Sequence, residues 1–169
     1  MSSRGTLRWS AINSNSRVPV SKACSIGTGN NADVYLLDTT VWIDLLRSNS
    51  RSIRHRLTAH SKSTIGLSII TLCELQYGLE KRAAQYPHLR AREQQLLSAI
   101  VAPFDVFLLD HDVVEVYGRV RAALENSGTA IGALDAFIAA QALSLGAVLV
   151  TSNEKEFQRV QGLQVENWG

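Results

Sequence analysis

Val34-Tyr35-Leu36-Leu37-Asp38-Thr39-Thr40 is the stretch that decides the fold. Val34 to Leu37 offer bulky or β-branched side chains with no polar break, so they read as a strand buried on both faces. A parallel sheet covered by helices on each side requires such strands. Asp38 then stands at the carboxyl end of that strand. In open α/β sheets ligands bind in the crevice beyond the strand carboxyl ends, so an acid there is a candidate for chemistry. The competing reading is that Asp38 or Thr39 only caps the helix that follows, Thr40 to Leu46. Three later segments decide between the two, because each also delivers an acid to the end of an expected element.

Working outward, Ile53–His60 reads as a second short helix and Thr64–Ser68 as a second strand. Ser68 or Thr71 opens a helix to about Ala84, with Leu72, Leu75 and Leu79 on its buried side and Glu74 in its first or second turn. Pro87 separates this from a helix over His88–Ile100. Phe104–Leu109 is a third strand. Asp110 and Asp112 are both read as caps for the helix Val113–Asn126, which Gly128 ends. The segment Ile131-Gly132-Ala133-Leu134-Asp135-Ala136-Phe137-Ile138-Ala139-Ala140 opens a helix to Leu145, stopped by Gly146. That helix is apolar almost all round and is expected to be buried, which makes Asp135 expensive unless a metal ion or an arginine compensates it. Ala147–Val150 is a fourth strand running into a polar loop, Thr151 to Phe157. Leu163–Val165 is a last strand, closed by Trp168. Strand and helix in alternation imply a parallel sheet with right-handed crossovers.

Composition sets the class. The 169 residues are 46% hydrophobic and 19% charged, the balance of one globular domain, and no apolar run approaches the length of a membrane span. A soluble, cytoplasmic protein is expected. Cys24 and Cys73 form no CxxC pair, so neither a disulfide framework nor a zinc site is indicated. Residues 1 to 32 are rich in Ser, Asn and Gly and hold Arg4, Arg8, Arg17 and Lys22 with no acid, leaving 13 basic against 15 acidic residues beyond them. This segment is expected to be a disordered or artefactual extension, with a transit peptide as the other reading, and residues 33 to 169 to form the domain.

Asp38, Glu74 and Asp135, with a fourth group from Asn153, Glu154 or Glu156, are expected to meet at one edge of the sheet. An oxygen-only donor set without histidine or cysteine suits Mg²⁺ or Mn²⁺ and not zinc. Carboxylate-held Mg²⁺ acts naturally on a phosphate ester, polarising it and activating water, so no side-chain nucleophile is needed. None is evident: the chain has no GxSxG, no Walker lysine and no suggestive Cys–His pair.

Four stretches carry a resemblance: Leu36-Leu37-Asp38-Thr39; Ser68 to Gly78 around Glu74; Gly128 to Asp135 with Ile138-Ala139-Ala140; and Val150-Thr151-Ser152-Asn153-Glu154-Lys155-Glu156-Phe157. In order and spacing they resemble the four acidic motifs of PIN-domain ribonucleases, and more closely those of the VapC-type toxins of bacterial toxin–antitoxin pairs. The resemblance runs from about Val34 to Trp168. It implies a PIN-like three-layer α/β sandwich, a central parallel sheet flanked by helices. It also implies a Mg²⁺- or Mn²⁺-dependent endoribonuclease acting on structured RNA such as transfer RNA. Its partners would be a second copy in a homodimer and a VapB-type antitoxin that inserts into the acidic groove. Carried over by position, Asp38, Glu74, Asp135 and Glu156 match the catalytic, metal-binding acids, with Thr39, Thr151 and Asn153 as supporting groups. Two positions depart from the pattern. Thr40 stands where the family usually has asparagine, which is expected to disturb the orientation of the acids, and Glu156 stands where many members have aspartate.

RNA contact is expected mainly through phosphates, with Arg47, Arg51, Arg54, Lys81, Arg82 and Lys155 as the candidates. A solvated helix face is the plainer reading of the Arg47 to Arg56 cluster. Two other functions compete. A haloacid-dehalogenase-type phosphohydrolase with Asp38 as nucleophile would want a downstream Gly-Asp, which Val148 to Asn153 does not supply. A non-catalytic RNA- or protein-binding module would be marked by the loss of an acid, and all four positions are acidic.

Overall fold

A computed structural model of the chain describes residues 34–47, 50–60 and 65–169. The expectation for residues 1 to 32 lies outside the described residues, as does Thr64 at the start of the second strand. Among the described residues the chain runs β1 (Tyr35–Leu37), α1 (Thr39–Leu46), α2 (Arg51–Ala59), β2 (Ile65–Ser68) and α3 (Ile69–Gln85). A 3₁₀ turn over Pro87–Leu89 leads into α4 (Arg90–Val101), β3 (Asp105–Phe107), α5 (His111–Asn126) and α6 (Ala133–Leu145). β4 (Val148–Val150), α7 (Glu154–Phe157) and β5 (Val165–Glu166) complete it.

The five strands form one sheet in the order β3-β2-β1-β4-β5, and every neighbouring pair is parallel. Alternation along each strand sends side chains to two separate cores. Tyr35 and Leu37 of β1, Ile65 and Leu67 of β2 and Val150 of β4 pack with Val41, Trp42 and Leu45 of α1 and Leu75 and Leu79 of α3. Leu36 and Leu149 face the other way, onto Val120 and Leu124 of α5, Ile138, Ala139 and Ala142 of α6, and Phe157. This is the expected three-layer sandwich. The buried run that opened the argument is buried because it feeds both cores.

Helix ends follow the local chemistry. Asp110 caps α5, its carboxylate accepting from the Val113 amide at 3.2 Å, while Asp112 lies inside the first turn and is not the cap. Gly146 ends α6 with φ of +61°, the left-handed region that favours glycine. The stretch after β4, expected as a polar loop, closes instead into the single turn α7. The driving force is burial of Phe157 and Val160, three residues apart, in the α5–α6 core. Gln141, an unremarked polar residue on apolar α6, is buried and donates to the carbonyls of Phe107 at 3.2 Å and Leu108 at 2.9 Å. It thereby satisfies the backbone where the edge strand β3 runs out.

Gly66 of β2 is required by close approach. A Cβ there would lie 2.3 Å from the Phe107 ring and 2.6 Å from the Asp105 carbonyl oxygen of the neighbouring strand. Because the second obstacle is backbone, Gly66→Ala is expected to destabilise the fold by about 1–3 kcal/mol. Thermal unfolding checks this, a melting temperature lower by several degrees being the expected result and an unchanged one the contrary.

Candidate active site at the carboxyl edge of the sheet

The order β3-β2-β1-β4-β5 changes direction at β1: the chain leaves it to build one side of the sheet, then returns to lay β4 against its other side. A crevice opens at such a switch point beyond the carboxyl ends of the two strands. Asp38 follows β1 and Thr151 follows β4, and the two meet there, the Thr151 hydroxyl donating to Asp38 Oδ2 at 2.8 Å.

Asp38 decides between the capping and the chemical reading. It occupies the N-cap position of α1 with extended backbone, yet its side chain makes no hydrogen bond to the helix amides. Its carboxylate, 3% exposed, instead accepts from the hydroxyls of Thr40 at 3.0 Å and Thr151 at 2.8 Å, both on Oδ2. A cap alone would not need that support.

The other acids arrive from separate elements. Glu74 projects from the second turn of α3 and accepts a short hydrogen bond from the Thr39 hydroxyl, the residue next to Asp38. Asp135 lies in the first turn of α6, half-buried. A Cβ on Gly132, the residue before that helix, would meet the Asp135 carboxylate at 2.7 Å, so the glycine leaves the space that the carboxylate fills. Glu156 lies on α7. Of the three candidates for a fourth group, Glu154 is engaged by the Asn167 side-chain amide at 2.8 Å, while Asn153 contributes its backbone N–H, which donates to the Thr151 hydroxyl at 3.0 Å.

Electrostatics ties the four together. Asp135 is pushed up to about 6, first by burial and then by the charges of Asp38, Glu156 and Glu74. Among the described residues no basic side chain pairs with it, so arginine is not what compensates this acid. The cluster is an uncompensated concentration of negative charge with oxygen donors only. That chemistry fits a hard divalent cation. Among the described residues the acids do not by themselves close three protein ligands around one point. Mg²⁺ tolerates this well, since it commonly keeps several waters and takes one or two carboxylates.

The candidate RNA-contact residues are spread more widely. Arg82 is committed to Glu93 at 2.7 Å, whereas Arg47, Arg51, Arg54, Lys81 and Lys155 have no ion-pair partner among the described residues. An open groove of about 460 Å³ between α1, α3 and α4 is lined by Glu74, Ile43, Leu46, Leu79, Arg47 and Arg82 among others, and so leads to one acid of the cluster. No helix among the described residues is long and apolar enough to cross a membrane. Thr40 was expected to disturb the acids, whereas its hydroxyl donates to Asp38 and accepts from the Ser152 amide, and Gly132 was passed over as a spacer. The first was legible as a hydroxyl two residues from an acid; the second stands three residues before one, but the space it leaves shows only once the helix is formed.

Comparison with known proteins shows the family and the fold. The family model described as PIN domain matches residues 35–163. The tRNA(fMet)-specific endonuclease VapC of Shigella flexneri is 34% identical over 134 residues, covering 79% of this chain and 97% of that one. Ribonuclease VapC2 of Rickettsia felis is 33% identical over 136 residues, covering 80% and 98%. Among solved structures, VapBC2 from Rickettsia felis bound to a promoter DNA fragment superposes with a TM-score of 0.74 at 32% identity, covering 80% of this chain and 99% of its counterpart.

Burial and charge crowding at Asp135 have a measurable consequence in metal-free protein. The folded value of Asp135 lies above its ordinary value of 3.8, so the native state holds more protons than the unfolded state between about 4 and 6. Stability from this group is therefore lost as pH rises through that window. Asp135→Asn is expected to raise the melting temperature in EDTA above about pH 6, the gain fading below about pH 4. Thermal scans across that range check it, and a destabilised variant at neutral pH would contradict it.

Proposed function

The chain belongs to the PIN-domain family, and on that premise we propose that it is a divalent-metal-dependent endoribonuclease, the toxin of a toxin–antitoxin pair, with Asp38, Glu74, Asp135 and Glu156 as its catalytic acids. What carries the site assignment is convergence: Thr39, next to Asp38, bonds Glu74, and burial with the charges of Asp38, Glu156 and Glu74 pushes Asp135 up, although the four acids come from the end of β1 and from α3, α6 and α7. Independent caps and solvated faces would not converge in this way.

A divalent ion bound among these oxygens would polarise a phosphodiester and lower the pKa of an attacking water. The side chains have distinct parts in this. Asp38 is held rigid by two hydroxyls, and Thr39 holds Glu74 in turn, so the two acids keep their orientation. Asp135 is the group whose protonation is open to change near neutrality, and charge neutralisation by a cation favours its ionised form. Glu156 adds to the negative field from the far side of the β4 loop, with Phe157 anchoring its helix in the core. Thr151 and Asn153 act as supports for that loop.

RNA is the substrate class, reached through its phosphates by the unpaired cations Arg47, Arg51, Arg54, Lys81 and Lys155, with Arg82 contributing only if it leaves Glu93. The inhibitory partner is a VapB-type antitoxin, in keeping with the relatives solved as VapBC complexes. The groove that Glu74 helps to line offers a partner segment a seat beside that acid.

Incubation of the purified protein with total bacterial RNA tests the reading. Discrete fragments are expected with Mg²⁺ or Mn²⁺ and none with EDTA. Asp38→Asn and Asp135→Asn should each lower cleavage by at least about a hundredfold while far-ultraviolet circular dichroism stays unchanged. Full activity in either variant, or in EDTA, would refute the assigned site.

A further inference from the structure

Thr40 sits at a junction that the family pattern does not explain. Its hydroxyl donates to Asp38 Oδ2 at 3.0 Å and accepts from the Ser152 backbone amide at 3.2 Å. Thr151 makes a matching pair of bonds, donating to the same Oδ2 at 2.8 Å and accepting from the Asn153 amide at 3.0 Å. The two hydroxyl oxygens lie 3.4 Å apart. Backbone amides can only donate, so at each threonine the lone pairs face the loop and the proton faces the carboxylate. Two parallel relays therefore run from residues 152 and 153 to a single oxygen of Asp38. Among the described residues Asp38 Oδ1 accepts no hydrogen bond, which leaves it to meet a cation.

Resting on the ribonuclease reading above, we propose that Thr40 is a positioning residue: its hydroxyl locks the loop between β4 and α7 to Asp38, so that the Asp38 and Glu156 sides of the site share one register. Thr151 ties the first residue of that loop to Asp38 from the β4 side, and Thr40 adds a second tie, one residue further on, from α1. Deleting the Thr40 hydroxyl removes that crosslink and leaves the amide of Ser152 without its acceptor. Partners that orient metal-binding groups are typically worth about 10–100-fold in metal affinity or activity.

The test compares the full chain with Thr40→Val, which keeps the shape and loses the hydroxyl, and Thr40→Ser, which keeps the hydroxyl. Thr40→Ala replaces the valine variant if that one does not fold. Two readouts are needed: amide hydrogen exchange at Ser152 in EDTA, and calorimetric Mn²⁺ affinity. Thr40→Val is expected to speed Ser152 exchange several-fold and weaken Mn²⁺ binding by roughly tenfold or more, with Thr40→Ser close to wild type in both. Wild-type exchange and affinity in Thr40→Val overturn the proposal. So does a serine variant as impaired as the valine one, since the methyl group and not the hydroxyl would then matter. A wild type that binds no Mn²⁺ defeats the metal-dependent reading itself, and the Ser152 exchange rate then decides alone whether Thr40 ties the loop to Asp38.

Discussion

Carboxylates gathered in one crevice repel one another, and much of this architecture serves to hold them there in spite of that. Asp135 records the strain directly, pushed up to about 6 by burial and by its three acidic neighbours with no basic group paired to it among the described residues. A fold that keeps such a cluster gives up stability in the metal-free state. What holds the acids in place is mostly apolar. Leu36 and Leu37 send β1 into both cores, Phe157 pins α7, and Trp42 and Leu45 seat α1 beside the strand that carries Asp38. Hydroxyls then do the fine placement that apolar packing cannot, through Thr39 on Glu74 and Thr40 with Thr151 on Asp38.

The parallel sheet makes this gathering possible. Every strand points the same way, so each loop after a strand reaches the same edge, and the reversal at β1 leaves a crevice where the chain departs from the paired strands β1 and β4 toward opposite faces. Asp38 and Thr151 are neighbours for that reason, although 113 residues separate them in sequence. The remaining acids ride on helices packed to the sheet faces, which bring Glu74 and Asp135 to the same edge from opposite layers.

What could be read from the sequence was what periodicity and motif spacing encode. Val34 to Leu37 announced a strand buried on both faces, and the apolar helix opening at Asp135 announced both its burial and the expense of its acid. Boundaries were less legible. Asp110 and Asp112 looked alike as caps, and the hydrogen bond from the Val113 amide selected Asp110. The turn over Glu154–Phe157 was hidden by its polar residues, because two buried side chains, Phe157 and Val160, outweighed them. Gln141 was illegible, since its partners are carbonyls more than thirty residues away, and Gly132 was so because the space it leaves for the Asp135 carboxylate exists only in the folded turn. Thr40 showed as a departure from a pattern, and its part emerged only when Ser152 was found across the crevice.

The central claim is that the four acids act as one charged site relieved by a divalent cation. Calorimetry of Mn²⁺ binding in buffers of different ionisation enthalpy measures it, because a cation that joins the cluster must displace the proton that burial and crowding leave on Asp135. With a midpoint of about 6, binding at about pH 6 should release roughly half a proton per site into the buffer, falling toward none at about pH 8 and in Asp135→Asn. Binding that releases no proton at that pH, or that releases as much from the Asp135→Asn variant, would contradict the account.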